Sequence, residues 1–294
     1  MTLLGIDAGA TATKWSVLDE TGATFSGKSQ AMDGHIYRPE SEIRINEVLA
    51  DIADMAAQTA AHEVTAICAG FTGLAHSGAD QEALKALFNR YFPKAKVSLM
   101  SDIELAYRAH LQPGEGILLY AGTGSVAMHI TEDQRVIRIG GWGYLLGDEG
   151  AGYWIGREAI RHTLMTLENG TSNALSTAIA EALGASNWGE MRTAIYGQDR
   201  SIVAALTPTV RNCALEGDQS AIEILAHAAG ELAELIYRTD RVIGEDGLPI
   251  IFSGGIAQQI PEIFSDLVSI FGSRVLRANV DIAAGAATLA GKLG

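Results

Sequence analysis

The start of the chain alternates short apolar runs with turns of small and polar residues. The apolar run LLGID leads into the turn AGATA, and the runs TKWSVLDE and ATFSG follow on either side of a second turn, TG. Short apolar and β-branched runs bounded by glycine and acidic residues are typical of β-strands. The pattern therefore predicts three strands joined by two tight turns.

The same pattern recurs in residues 116–141, GILLYAGTGSVAMHITEDQRVIRIGG. There too an apolar run enters a turn of glycine, threonine and serine, a second strand follows, and a third strand leaves after a polar turn. The two segments differ at most positions but share this layout. We interpret them as an internal duplication of one supersecondary unit.

Each predicted three-stranded unit continues into helices and strands. After the first, PESEIRINEVLADIADMAAQTAAHE carries apolar residues at helical spacing, and the helix DQEALKALFNRYF separates the buried strands VTAICAG and KVSLM. After the second, residues 153–242 are mostly helical, and the chain closes with strand LPIIFSGG, helix AQQIPEIFSDLVSIF, strand SRVLR and helix DIAAGAATLAGKL. This alternation predicts an α/β fold with partly parallel sheets flanked by helices.

Two copies of the unit predict two domains with a cleft between them, and 294 residues is long for a single core. We place the first domain at residues 1–112 and the second at residues 113–280. The last helix, in residues 281–294, is expected to pack back on the first domain.

The charge balance narrows the possible partners. The chain has 35 acidic and 21 basic residues, a formal net charge of −14, and two cysteines far apart in sequence. Nucleic acids and anionic membranes bind clustered lysine and arginine, so this balance argues against both, and no apolar stretch reaches the length of a bilayer. We therefore expect a cytoplasmic protein that holds any bound phosphate locally, with backbone amides, a metal ion or a few cations.

The two turns of small residues are candidate phosphate sites. Each lies between two predicted strands, which excludes the usual phosphate loop between a strand and a helix, and the motif G-x-x-x-x-G-K-[ST] is absent from the sequence. The amides of a tight hairpin can still hold phosphate oxygens. Asp7, just before the first turn, offers a hard oxygen ligand for Mg²⁺, or it stabilises the turn by hydrogen bonds to the backbone.

These motifs resemble the superfamily of sugar kinases, heat-shock-protein ATPases and actin. GIDAGATATK resembles its first phosphate motif, AGTGSVA the second, SDIELAYRAH and DIAAGAATLAG its connecting segments, and IIFSGGIAQQI its adenosine motif. GGWGYLLGDEGAGYWIGREA resembles the sugar-side signature of the N-acetylglucosamine kinase-like branch, which is grouped with the BadF/BadG ATPases. The motifs occur in the family's order from residue 4 to residue 290.

The resemblance implies two ribonuclease H-like (actin-like ATPase) domains, with ATP and Mg²⁺ as cofactors and a small sugar as substrate. Asp102 stands where the family places its catalytic base, and Asp7 is the expected metal ligand. The implied nucleotide-binding residues are Gly9, Ala10, Thr11, Thr13, Lys14, Gly122, Thr123, Gly124, Ser125, Gly254, Gly255 and Ala257. The implied sugar-binding residues are Asp33, His35, Thr72, Trp142, Gly143 and Asp148. We also expect a homodimer, paired through the alanine-rich helices of the second half.

Some of these residues have structural explanations as well. Ser101 and Asp102 both suit the N-cap of the helix that follows them. Lys14, within a predicted strand, points either to a phosphate or to solvent. Trp142 is favoured as a packing residue over a ring that stacks on the sugar.

The loop after the first three strands departs from the family's pattern. It reads SQAMDGHIYRPE, so Asp33, Gly34 and His35 stand where family members often carry Gly-Asn against the sugar. The identity of the sugar therefore stays open at this point.

The leading reading is an ATP-dependent amino-sugar kinase in which Asp102 deprotonates a sugar hydroxyl. The 6-hydroxyl of N-acetylglucosamine is the first candidate, ahead of glucosamine, glucose and N-acetylmuramate. The alternative is an ATPase that activates a dehydratase or reductase through an iron–sulfur cluster shared between two subunits, which needs cysteine ligands. Neither Cys68, in a predicted strand, nor Cys213, on a predicted helix, is placed for that role. A third reading, an inactive sugar-sensing regulator, conflicts with the net charge.

Overall fold

The computed structural model describes residues 1–9, 12–60, 62–74 and 78–293. The chain divides into two units, the first made of Met1–Gln112 and Asn279–Gly294 and the second of Pro113–Ala278. None of the described helices is long and apolar enough to cross a membrane.

The first unit is built on a mixed five-stranded sheet. Its strands are β1 (Thr2–Ala8), β2 (Thr13–Leu18), β3 (Thr24–Ser29), β4 (Val64–Phe71) and β5 (Lys96–Ser101). Its helices are α1 (Pro39–Thr59), α2 (Gly78–Tyr91), α3 (Asp102–His110) and, from the end of the chain, α12 (Ile282–Ala290).

Strand β1 lies at the centre of this sheet, in the order β3-β2-β1-β4-β5. Strands β2 and β3 continue the sheet antiparallel, whereas β4 and β5 run parallel to β1. Leu4 and Ile6 pack against α1 and α2 on one face, and Leu3 packs against α3 and α12 on the other. Both faces of β1 are therefore covered, which explains why its sequence is an unbroken apolar run rather than an alternation.

Gly5 allows helix α12 to lie directly on β1. A Cβ at this position would lie 2.0 Å from the backbone oxygen of Ala283 and 2.2 Å from the backbone nitrogen of Ala287. Gly5→Ala is therefore expected to lower the free energy of unfolding by at least about 2 kcal/mol, because neither backbone can move away cheaply. Urea denaturation tests this, with Gly78→Ala as the control.

The control site, Gly78, begins α2, and no described atom lies within 4 Å of a Cβ built there. We expect Gly78→Ala to stay within about 0.5 kcal/mol of the unsubstituted protein. Equal stability of the Gly5→Ala and Gly78→Ala variants would contradict the packing of α12 on β1.

The second unit contains a sheet with the same plan. Its strands are β6 (Ile117–Ala121), β7 (Ser125–Ile130), β8 (Val136–Gly140), β9 (Ile250–Ser253) and β10 (Val275–Arg277). Their order, β8-β7-β6-β9-β10, repeats the order of the first sheet, with an antiparallel side and a parallel side about the central strand. The predicted α/β fold class, with its repeated three-stranded unit, is confirmed.

The helices of the second unit surround one large apolar core. They are α4 (Gly152–Glu168), α5 (Ala174–Leu183), α6 (Trp188–Ile195), α7 (Ser201–Ala204), α8 (Thr207–Leu215), α9 (Gln219–Ile243), α10 (Gly255–Gln259) and α11 (Pro261–Phe271). The prediction of one continuous helix over AQQIPEIFSDLVSIF is wrong, because α10 ends before Ile260 and α11 begins at Pro261. Proline disfavours helical geometry in the residue before it, and Ile260 has φ −123° and ψ 77°.

Candidate functional site

The carboxyl ends of three parallel strands meet at one edge of the first sheet. The strand register pairs Ala8 with Phe71 and Phe71 with Ser101. Thr72 and Asp102 each follow the last residue of a strand, so the parallel pairing brings them side by side. The Thr72 hydroxyl donates a hydrogen bond of 2.6 Å to Oδ2 of Asp102.

Asp102 is the first residue of α3, and its two carboxylate oxygens have separate partners. Oδ1 accepts from the amide of Ile103 at 2.9 Å, and Oδ2 accepts from Thr72. The N-cap itself is Ser101, whose side chain accepts from the amide of Glu104 at 3.2 Å. The capping role predicted for either residue therefore falls to Ser101, and the role of Asp102 as a base stays a prediction.

Asp7 lies near the end of β1, opposite Lys14 of β2. Burial raises the pKa of the Asp7 carboxyl to about 6, the charge of Lys14 opposes the rise, and Asp102 and Asp281 add to it. Asp281 caps helix α12, where it accepts from the amide of Ala284 at 3.0 Å. Asp281 is absent from the predicted site residues, because its approach to Asp7 depends on the return of α12 to the first sheet.

The surroundings of Asp7 suit a divalent cation. A desolvated carboxylate with acidic neighbours presents the hard oxygen ligands that Mg²⁺ prefers. Among the described residues, however, no group of three histidine, cysteine or acidic side chains could hold a metal ion by itself. A cation at Asp7 would therefore need water or phosphate oxygens for the rest of its coordination.

The pKa of Asp7 leads to a prediction about stability in the absence of metal. A raised pKa means that the folded protein binds this proton more tightly than the unfolded chain. The resulting stabilisation is complete below the ordinary value of 3.8 and is lost as the pH rises through about 6. Asp7→Asn, which stays neutral, should therefore be more stable than the unsubstituted protein at pH 8, by about 1–3 kcal/mol.

Urea denaturation in EDTA at pH 8 and at pH 5 measures this difference between Asp7→Asn and the unsubstituted protein. We expect the gap in unfolding free energy to be smaller at pH 5, where much of the Asp7 in the folded protein keeps its proton. The same gap at both pH values would contradict the assignment of the raised pKa to Asp7.

The first hairpin joins β1 to β2. The amide of Gly9 donates to the carbonyl of Ala12 at 3.2 Å, and the side chain of Lys14 is exposed. Thr13 is fully buried, and its hydroxyl has no hydrogen-bond partner among the described residues. Two predicted phosphate ligands of this turn, Ala10 and Thr11, lie outside the described residues.

Asp33 organises the loop between β3 and α1. Its Oδ1 accepts from the amide of His35 at 2.9 Å, and the hydroxyl of Ser41 also donates to this carboxylate. Although burial raises the pKa of Asp33, these hydrogen bonds and the nearby His35 ring hold it below its usual value. Asp33 therefore ties the loop to the first turn of α1.

The same loop packs closely on the turn after β4. The amide of Gly34 donates to the carbonyl of Thr72 at 2.9 Å, and a Cβ on Gly34 would lie 2.6 Å from Cα of Leu74. A Cβ on Gly73, which has φ +73°, would lie 2.3 Å from Cε1 of His35. The predicted sugar-side residue His35 is thus placed next to Thr72, which contacts Asp102.

The second hairpin, between β6 and β7, is anchored to the start of α4. The amide of Gly122 donates to the carbonyl of Gly124 at 2.9 Å, and the amide of Gly152 donates to the carbonyl of Gly122 at 2.9 Å. The carbonyl of Thr123 accepts from the amide of Tyr153 at 3.1 Å. This hairpin is therefore held from one side by helix α4.

Asp148 also supports the hairpin between β6 and β7. It is only 6% exposed, and its carboxylate accepts from the amides of Ser125 and Gly143. A Cβ on Gly124 would lie 2.4 Å from Oδ2 of Asp148, so only glycine allows this approach. Burial raises the pKa of the Asp148 carboxyl, although the two amides and Arg200 oppose the rise.

These contacts bear on two sequence-based expectations. The Ser125 amide, predicted to hold phosphate, is engaged by Asp148, and the Ser125 hydroxyl donates to the carbonyl of Glu149 at 2.7 Å. The amides of Thr123 and Gly124 stay candidates for phosphate. The contact of Asp148 with a sugar hydroxyl stays a prediction, and the structure adds a role in holding the hairpin.

Trp142 lies near the start of the loop between β8 and α4 and is 59% exposed. The guanidinium of Arg238 lies 5.0 Å from the centre of its ring, in a cation–π contact. The ring packs against Arg238 although the residue is largely exposed, so the choice between packing and stacking on a sugar stays a prediction. Gly143, with φ +87°, turns the chain so that its amide reaches Asp148.

The predicted adenosine motif follows β9. Gly254 has φ +97°, and a Cβ there would lie 2.3 Å from the carbonyl oxygen of Ala121, so β9 approaches β6 closely at this point. Helix α10 begins at the next residue, Gly255. Ala257 is buried in the core of the second unit, where its side chain packs rather than faces solvent.

Both cysteines of the chain are buried. Cys68 lies in β4, where burial raises the pKa of its thiol to about 12, and Cys213 lies on α8, where burial also raises the thiol pKa. Thiolates ligate iron–sulfur clusters, and these environments disfavour the thiolate form. They offer no support for the cluster-dependent activator.

Comparisons with known proteins agree with this arrangement. The N-acetyl-D-glucosamine kinase of Dictyostelium discoideum is 27% identical to this chain over 315 aligned residues, which cover 98% of this chain and 97% of the relative. The N-acetylmuramic acid/N-acetylglucosamine kinase of Clostridium acetobutylicum is 28% identical over 209 residues, covering 69% of this chain and 68% of the relative.

A solved structure shares the whole fold. It is that of a Chromobacterium violaceum protein provisionally named N-acetylglucosamine kinase, which matches with a TM-score of 0.78 and 26% identity over 98% of each chain. The sequence model of the BadF/BadG/BcrA/BcrD ATPase family matches residues 4–290. That match covers nearly the full length of the chain, which therefore belongs to the BadF/BadG/BcrA/BcrD ATPase family.

Proposed function

We propose that this protein is an ATP-dependent amino-sugar kinase, with the 6-hydroxyl of N-acetylglucosamine as its acceptor. The observation that carries the proposal is the hydrogen bond from Thr72 to Asp102, which fixes a carboxylate at the carboxyl edge of the first sheet. Two relatives of this chain are named for kinases of N-acetylated amino sugars and a third for a glucosamine kinase, which supports an amino sugar as the substrate class.

Asp102 acts as the general base in this proposal. It takes the proton of the sugar hydroxyl as that oxygen bonds to the γ-phosphorus and the bond between the γ-phosphorus and ADP breaks. Support comes from the separate donors on its two oxygens, Ile103 and Thr72, which limit rotation of the carboxylate.

ATP is held by the two hairpins and the turn after β9. Thr123 and Gly124 contribute backbone amides, and the buried hydroxyl of Thr13, without a partner among the described residues, is a further donor for a phosphate oxygen. Gly254 and Gly255 give adenosine access to the backbone at the start of α10. The remaining proposed ligands are Gly9, Ala10, Thr11, Lys14 and Gly122, whereas Ser125 supports the hairpin and Ala257 packs in the core of the second unit.

Mg²⁺ is the proposed cofactor, with Asp7 as its protein ligand. When bound, it neutralises negative charge on the phosphates. A protein with a net charge of −14 has little positive charge of its own for this purpose. Asp7 fits this role because it is partly buried and close to the acidic residues Asp102 and Asp281.

The proposed sugar contacts belong to the loops described above. His35 is held beside Thr72 by the Asp33 loop, and Asp33, Trp142, Gly143 and Asp148 are the other proposed contacts. The exposed ring of Trp142 offers an apolar face of the kind that sugars stack on. Glucosamine, glucose and N-acetylmuramate are the competing acceptors.

The domain boundaries, the cellular location and the oligomeric state complete the proposal. The two units are the protein's domains, with a boundary after residue 112 and the segment 281–294 returning to the first domain. The protein is a cytoplasmic homodimer, and light scattering at micromolar concentration tests the mass. A monomeric mass would contradict the dimer without affecting the kinase.

The experiment that tests the function measures ADP release with Mg-ATP across N-acetylglucosamine, glucosamine, glucose, N-acetylmuramate and no sugar. We expect release to depend on sugar and to be fastest with N-acetylglucosamine. A release rate that is the same with every sugar and without sugar would contradict the kinase and favour the activator ATPase of the same family.

A further inference from the structure

We propose that Thr72 is the positioning residue for the general base, and that its hydroxyl, rather than a contact with the sugar, is what the reaction requires of it. This inference rests on the proposed kinase function. The Thr72 hydroxyl donates to Oδ2 of Asp102 at 2.6 Å. A carboxylate oxygen accepts more than one hydrogen bond, so Oδ2 keeps a lone pair for the proton of the acceptor hydroxyl.

Thr72 is itself held firmly on both sides of its backbone. Its amide donates to the carbonyl of Ala8 at 3.0 Å, and its carbonyl accepts from the amide of Gly34 at 2.9 Å. These bonds tie Thr72 to the end of β1 and to the loop that carries His35. Threonine is also β-branched, which restricts rotation about χ1.

The acceptor, Asp102, is equally fixed relative to β4. A Cβ on Gly70 would lie 2.7 Å from Cβ of Leu105 and 3.2 Å from Cα of Asp102, so strand β4 and helix α3 are in close contact. Donor and acceptor therefore stand on two elements that cannot easily shift apart. A displacement of about 1 Å at a reacting group can cost a factor of about 100 in rate, so loss of this hydrogen bond should affect the chemical step.

The experiment compares three variants in steady-state kinetics with Mg-ATP and N-acetylglucosamine. Thr72→Val removes the hydroxyl and keeps the shape, whereas Thr72→Ser keeps the hydroxyl. Thr65→Val is the matched control, because Thr65 lies at the opposite end of β4 from Thr72 and its hydroxyl donates to the carbonyl of Thr2 at 3.1 Å.

We expect Thr72→Val to lower kcat by about 10- to 100-fold with the KM for sugar changed less than about threefold. Thr72→Ser should recover kcat to within about threefold of the unsubstituted protein, and Thr65→Val should leave both parameters unchanged. A purely structural role of Thr72 would not predict a large loss of kcat with a nearly unchanged KM for sugar.

Three results would overturn the positioning role of Thr72. A raised KM for sugar with unchanged kcat in Thr72→Val would make Thr72 a substrate contact, and a Thr72→Ser variant as slow as Thr72→Val would assign the effect to the methyl group. Asp102→Asn in the same assay distinguishes the role of Asp102 as the base from the positioning role of Thr72. Full activity in Asp102→Asn would overturn the proposed base, whereas an inactive Asp102→Asn with an unaffected Thr72→Val would overturn only the positioning role.

Discussion

Asp102→Asn is expected to lower sugar-dependent turnover by about 10²–10⁴-fold, the range typical of a general base. The amide cannot take the proton of the acceptor hydroxyl, yet its oxygen can still accept from the amide of Ile103 while its NH2 group donates to the hydroxyl of Thr72, which can also accept. Helix α3 should also keep its cap, because the cap is the side chain of Ser101. We therefore expect loss of turnover with nearly unchanged unfolding free energy and nearly unchanged affinity for ATP.

The control for this variant is Asp54→Asn, on the exposed face of α1. It changes the same functional group and the same net charge, so it should keep full turnover. The measurement is coupled ADP release for both variants, with urea denaturation to establish that both are folded. A folded Asp102→Asn variant with more than about a tenth of normal turnover would contradict the assignment of the base.

Asp148→Ala is expected to lower the free energy of unfolding by about 2–4 kcal/mol, because it leaves the amides of Ser125 and Gly143 without a buried acceptor. The hairpin between β6 and β7 should lose its support, and the KM for ATP should rise by about tenfold or more. Urea denaturation and initial rates at varied ATP measure the two effects.

The variant Asp148→Asn distinguishes support of the hairpin from contact with the sugar. Asparagine keeps one acceptor oxygen but turns a donor toward the other amide. The stability of Asp148→Asn should therefore fall between those of Asp148→Ala and the unsubstituted protein. If Asp148→Ala keeps full stability and raises only the KM for sugar, the supporting role is wrong and the sugar contact predicted from the sequence is favoured.

The sequence predicts the fold well where one stretch of chain determines it. The two three-stranded units follow from apolar runs between small-residue turns, and their repetition predicts two sheets of the same plan. The same reasoning fails at Pro261, where apolar periodicity continues through a break that proline imposes on Ile260. Periodicity reports which face is apolar, whereas the break depends on backbone geometry.

The site is predictable in its parts but less so in its contacts. Asp7, Asp102 and Asp148 stand in motifs that can be read from the sequence. The bond between Thr72 and Asp102 depends on the pairing of β4 with β5, and the approach of Asp281 to Asp7 depends on a helix that returns from the far end of the chain. In the sequence, the single clue to the approach of Asp281 to Asp7 is that Asp281 is placed to cap a small-residue helix, DIAAGAA. Such a residue is explained by capping alone until the fold is known.

The most direct test of the proposed function is the identity of the phosphorylated product. The protein is incubated with Mg-ATP and N-acetylglucosamine, and the product is analysed by NMR correlation between phosphorus and sugar protons. We expect a phosphorus signal that correlates with the two protons on C6 and grows in step with ADP. ADP accompanied only by inorganic phosphate would contradict the kinase, and a correlation at another carbon would contradict the 6-hydroxyl as acceptor.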